Sequence, residues 1–248
     1  MRSSEKDISR WHRWKRTGLS TILSPILPHE IVKSEGTDGL TKAQELVKDG
    51  YGLIVAYTHF SLRDGPEIMM FLAQQPVFKK RQIISPIGFH QYKEWIGKLA
   101  DFAHIKLFPI VTTDTLNDPE FSHLRINDGI DAYIQAALDA LDTGGIVPIA
   151  LQSGRRSTLG APTRALSMMM AQATRKQRER YGVLFVGLEM PGLEDFEDVR
   201  GYNPAKKYRL TVGNAYTAHE VFQEAGNLRE IDYFAFRELT ALVPSSYR

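Results

Sequence analysis

The chain has 248 residues, 43% hydrophobic and 24% charged, with no cysteine and a formal net charge of +2 at pH 7. That composition excludes disordered, collagen-like and coiled-coil architectures, and a chain this long can bury enough surface to need no disulfide or metal. Without cysteine there is no thiol nucleophile, iron–sulfur centre or cysteine-ligated zinc.

The first stretch is basic: Arg2, Lys6, Arg10, Arg13, Lys15 and Arg16 stand against Glu5 and Asp7. Wound as a helix, Ile8, Trp11, Trp14, Leu19, Ile22, Leu23 and Ile26 fall on one half of the circumference. Lys6, Arg10, Arg13 and Arg16 fall opposite, and Lys15 lies on the apolar side, where its long stem can snorkel. Bases facing away from tryptophan and aliphatics describe an amphipathic N-terminal helix at a membrane surface, interrupted at Pro25. The same pattern also suits a helix packed on the domain with its bases in water. The stretch is not signal-like, and no apolar run reaches the roughly 18 residues of a membrane span. Residues 1–34 are therefore expected to be a membrane-facing segment, and residues 35–248 one domain.

Within that domain an apolar run over 52–57 ends in Thr58-His59, and Gly65-Pro66 opens a helix that reaches residue 74. A strand is expected over 82–87, a helix over 92–103, a strand over 106–112, and an amphipathic helix over 126–142 stopped by Gly144-Gly145. The strand 146–151 runs into a polar loop, 152–160. A helix follows, with Pro162 near its start and Leu166, Met169, Met170 and Ala173 at helical spacing. Strands over 183–188 and 208–212 and a mostly helical stretch over 218–243 complete the pattern. Alternating strands and helices predict an α/β layered fold, its largely parallel sheet flanked by helices. Ligands of such sheets sit beyond the carboxyl ends of the strands, which directs attention to the loops opening at His59 and Gln152.

Dinucleotide-binding, P-loop, nucleophile-elbow and zincin motifs are all absent. Near-balanced charge without a recognised binding motif argues against nucleic acid as a partner. No metal site is expected, because the remaining histidines lack ligand spacing. The run Met168-Met169-Met170 reads as core packing.

In the first loop, Thr58-His59-Phe60-Ser61-Leu62-Arg63-Asp64, a histidine at a strand end precedes an aspartate beside a helix start. A turn of that length can bring the Asp64 carboxylate to one imidazole nitrogen, fixing the tautomer and making the other nitrogen a better base. Such a pair supplies base and orienter but no nucleophile, so a substrate hydroxyl would have to supply it. The same spacing also suits a turn hydrogen bond that caps the helix. The second loop, Leu151-Gln152-Ser153-Gly154-Arg155-Arg156-Ser157-Thr158, joins glycine, two arginines and hydroxyls after an apolar strand. That combination suits phosphate, through guanidinium forks and close backbone approach, or simply a solvated basic surface.

Together, about 90 residues apart, the two loops resemble those of the glycerolipid acyltransferases, the family of lysophosphatidate acyltransferases. Its N-H-x-S-x-x-D motif is matched at His59, Ser61 and Asp64, and its F-P-E-G-T-R-S motif at Gly154, Arg156 and Ser157. The apolar run 183–188 looks like the family's final strand. The resemblance implies His59 as general base oriented by Asp64, with Ser61, Ser153, Gly154, Arg155, Arg156 and Ser157 contacting substrate. It implies transfer of an acyl group from an acyl-CoA or acyl-carrier-protein thioester to a lipid hydroxyl, with no bound cofactor. It further implies a cytoplasmic location, peripherally on the inner or plasma membrane. Two positions depart from the pattern. Ser153 stands where the family has a glutamate, and no arginine follows the strand ending at Thr112-Thr113-Asp114, although Arg125 is a candidate to replace it. Both suggest an unusual acceptor, such as a non-phosphorylated lipid, or a lipid-binding member without catalysis.

Overall fold

A computed structural model describes residues 29–34, 36–61, 63–152, 159–190 and 208–247. The amphipathic stretch 1–28 and the arginine-bearing stretch 153–158 lie outside the described residues.

Among the described residues a single sheet has the strands β1 (His29–Lys33), β2 (Gly52–Tyr57), β3 (Ile83–Gly88), β4 (Ile105–Ile110), β5 (Ile146–Ala150), β6 (Tyr181–Glu189) and β7 (Tyr208–Thr217). Their order is β1-β7-β6-β2-β5-β3-β4. The pairs from β6 to β4 are parallel, β7 runs antiparallel to β6, and β1 is parallel to β7. The expected α/β architecture with a largely parallel sheet is therefore present.

Every residue of β2 is buried, because the strand lies in the middle of the sheet with helices on both faces. Leu53 and Val55 point to one face, into a core shared with α1 (Gly39–Lys48), through Ala43 and Val47, and α2 (Asp64–Gln74), through Ile68, Phe71 and Leu72. Ile54 and Ala56 point to the other face, against α5 (Ile130–Asp142), α6 (Ala165–Gln172) and α9 (Ile231–Ala241). The two-residue period of the strand thus serves two cores. Each fully buried Leu, Ile or Phe there contributes about 1.5–3 kcal/mol. The remaining helices are α3 (Glu94–Phe102), α4 (Thr113–Leu116), α7 (Arg175–Arg178) and α8 (Ala218–Ala225).

Several elements differ from the sequence pattern. Residues 29–33, assigned to the membrane-facing segment, are instead the outer strand β1, in register with 208–212 of β7. Helix α5 starts at Ile130 rather than 126, because Gly129 adopts φ 88° at its N-cap, a conformation that a glycine adopts without strain. The stretch 218–243 is divided at Gly226, φ 79°, into α8 and α9. Strand β7 runs to Thr217, five residues beyond the expected end. No helix among the described residues is long and apolar enough to cross a membrane.

Candidate active site

The chain leaves β2 toward β3, on one side of the sheet order, and leaves β5 toward β6, on the other. The helix after β2 packs on one face of the sheet and the helix after β5 on the other, so the adjacent carboxyl ends of β2 and β5 flank a crevice, the usual ligand position in such sheets. His59 follows β2 and Gln152 follows β5, so both expected loops open at this crevice.

The turn after β2 is organised by Asp64, the fully buried first residue of α2. Its Oδ2 lies 3.2 Å from His59 Nδ1 and accepts the N–H of Ser61 at 2.6 Å as well as that of Phe60. Its Oδ1 accepts the Ser61 hydroxyl at 3.1 Å. A carboxylate surrounded in this way holds the imidazole by Nδ1, so Nε2 is the nitrogen left for proton transfer. The His59 side chain keeps 27% of its surface exposed while the Asp64 side chain keeps none. Among the described residues no side chain occupies Nε2.

Ser61 sits behind Asp64, 3% exposed. Its oxygen accepts the Arg63 N–H at 3.1 Å and lies 2.5 Å from the Tyr208 hydroxyl. Since the Ser61 proton goes to Asp64, Tyr208 is the donor in that pair. Burial, and then the charge of Asp64, raise the Tyr208 phenol above its ordinary value, which keeps it a donor at neutral pH. In this arrangement Ser61 supports the carboxylate from behind. Tyr208 also lies 3.1 Å from Met190 Sδ, and the Arg63 guanidinium stacks on its ring at 4.6 Å. Arg63 is in turn paired with Glu67 one turn along α2, both side chains being buried. Tyr208→Phe should remove about 0.5–1.5 kcal/mol of stability, the worth of one hydrogen bond, and loosen Asp64. Thermal unfolding together with the turnover rate checks this; a variant equal to wild type in both would refute the support role.

Gln152 joins the two loops. Gln152 is 3% exposed and its Nε2 donates to the carbonyl oxygen of His59, so the start of the second loop is fastened to the His59–Asp64 turn. Tyr247 closes the same region. Its ring packs on Phe60 at 5.2 Å, its hydroxyl donates to Met190 O at 2.6 Å, and its carbonyl accepts the Leu159 N–H at 2.7 Å. Gln152, Tyr208 and Tyr247 were not candidates from sequence, and no local spacing announces them.

The other expected residues separate into two groups. Ser153, Gly154, Arg155, Arg156 and Ser157 lie outside the described residues, but Leu151 and Gln152 before them and Leu159 after them hold both ends of that loop at the crevice. Thr112, where the family pattern has an arginine, caps α4 through a reciprocal pair with Thr115. Arg125 is exposed, in a turn that Asn127 N–H fastens to Val111 O just beyond β4. It thus lies on the same edge of the sheet as His59, three strand spacings of about 4.8 Å away.

Among the described residues no cluster of His, Asp and Glu is arranged to hold a metal. A cavity of about 440 Å³ lined by Asp38, Lys42, Glu45, Asn214 and Tyr216 opens toward the opposite edge of the sheet and touches none of these residues. No family model matches the chain, and no curated protein matches it.

Proposed function

We propose that the chain is a peripheral membrane O-acyltransferase, moving a fatty acyl group from an acyl-CoA or acyl-carrier-protein thioester to a hydroxyl of a glycerophospholipid-like acceptor. The observation that carries this reading is a base and an orienting carboxylate, with no partner on Nε2 among the described residues, at the crevice between β2 and β5. The neighbouring Ser61 hydroxyl is committed to Asp64 and so is not the nucleophile.

In the proposed reaction His59 Nε2 takes the proton of the acceptor hydroxyl as its oxygen attacks the thioester carbonyl. Asp64 holds the imidazolium that forms. The tetrahedral intermediate collapses with cleavage of the C–S bond, and the departing thiolate recovers the proton from His59. The products are an ester and a free thiol, with no external oxidant or reductant. Gly154, Arg155, Arg156 and Ser157, with Ser153 beside them, would receive a phosphate of acceptor or donor. Serine at 153 in place of a carboxylate suits an acceptor that differs from the family's usual one.

The test is a transfer assay with full-length chain, vesicles containing mixed lysolipids, and acyl-CoA or acyl-carrier-protein thioesters. Mass spectrometry should find a new acyl ester matched mole for mole by released thiol. Thiol release without ester would assign a hydrolase instead. No thiol release with vesicle binding retained would leave a lipid-binding protein on this fold.

A further inference from the structure

The edge of the sheet that carries His59 is flanked at both ends by features suited to a lipid surface. At one end, β1 runs opposite to β2, so its first residue, His29, lies at the edge where β2 finishes, in register with Tyr208. Residues 1–28, with Trp11 and Trp14 set against Arg10, Arg13 and Arg16 in the sequence, therefore join the fold at the edge that holds the catalytic pair.

At the other end, beyond β3 and β4, Phe89, Tyr92 and Ile126 are 38%, 37% and 55% exposed. They come from separate segments. Phe89 and Tyr92 follow β3, whereas Ile126 lies in the turn that Asn127 fastens to Val111. Phe121, 5.5 Å from Phe89 between ring centres, packs edge-on against that ring. Lys93 and Arg125 are exposed nearby, against exposed Asp118, Glu120 and Asp128. The near-balanced charge makes the pull of a membrane on this corner apolar rather than coulombic.

We infer that Phe89, Tyr92 and Ile126 form a second membrane-insertion corner. With residues 1–28 it lays the His59 edge of the sheet against the lipid surface. This inference rests on the interfacial reading of residues 1–28, and it stands apart from acyl transfer. Its occupant is a bilayer, because the 28 residues that enter the same edge carry the basic and tryptophan pattern of interfacial segments. A lipid hydroxyl at headgroup depth would then approach His59 without leaving the membrane.

The absence of cysteine permits a direct test. An environment-sensitive fluorophore is attached in Ile126→Cys and, separately, in Phe102→Cys. Phe102 is 44% exposed but ends α3 just before β4 begins, at the opposite edge. On vesicles of phosphatidylcholine and phosphatidylglycerol, the label at 126 should brighten and be quenched by brominated acyl chains, and that at 102 should not. Equal brightening at both positions, or at neither, overturns the inference. Brightening at 126 without vesicles, rising with protein concentration, would assign the corner to a second copy of the chain and overturn it equally. The combined Phe89→Ser, Tyr92→Ser and Ile126→Ser variant should bind the vesicles about tenfold more weakly in high salt, where the N-terminal bases are screened. Unchanged affinity would also refute it. None of these readings needs turnover, so the inference and the acyltransferase reading can fail separately.

Discussion

His59→Ala is expected to lower acyl transfer by about 10²–10⁴-fold, the range general base catalysis supplies, while the protein stays folded. The fold should survive because the imidazole is partly exposed and, among the described residues, bonds only through Nδ1. Asp64 keeps the Phe60 and Ser61 N–H groups and the Ser61 hydroxyl after the ring is removed, so no buried charge loses all its donors. The loss should appear in kcat with KM little changed, since proton removal is realised in the transition state rather than in binding. Initial rates of ester formation, with thermal unfolding of both proteins as the control, decide it. A variant that transfers at the wild-type rate would eliminate His59 as the base.

Arg63→Met should destabilise the protein by about 3–5 kcal/mol, more than most single substitutions. Arg63 and Glu67 are 3% and 0% exposed at their side chains, so removing the guanidinium takes a charged partner from a buried carboxylate. It also removes the cation stacked on the Tyr208 ring, a contact of about 0.5–2 kcal/mol. Adding Glu67→Leu should restore most of the loss, because a buried ion pair replaced as a unit by apolar side chains is often neutral. Denaturant titration of the wild type, Arg63→Met and the double variant forms the test. A single variant within about 0.5 kcal/mol of wild type, the ordinary surface range, would show the pair to be solvent-screened.

The contact between His59 and Asp64 was legible in the sequence because it is local: five residues and a strand-to-helix junction suffice to suggest the turn. The parallel sheet was legible for a related reason, since apolar runs of strand length alternated with helical periodicity. Strand β1 stayed hidden because His-Glu-Ile-Val-Lys is short and polar at both ends, as outer strands commonly are. Helix α1 carries Leu40, Ala43 and Val47 at helical spacing, a local signal of its buried face. Nothing local distinguishes the buried guanidinium of Arg63 from a solvated one. The partners of the site were out of reach for a different reason. Gln152 meets His59 across 93 positions and Tyr208 meets Ser61 across 147, and spacing within one loop carries no trace of either contact.

Those long separations also dictate the order in which the site can be assembled. The His59–Asp64 turn needs only a loop of a few residues to close, an event of tens of nanoseconds for short segments. Its reinforcement needs β7 docked on β6, and Tyr247 seated on Phe60 and Met190. These contacts join distant parts of the chain, so a large loop-closure entropy opposes them. During synthesis, the segment bearing the dyad therefore leaves the ribosome well before the tyrosines that brace it. A nascent chain stopped anywhere short of β7 holds His59 and Asp64 without the architecture that braces them.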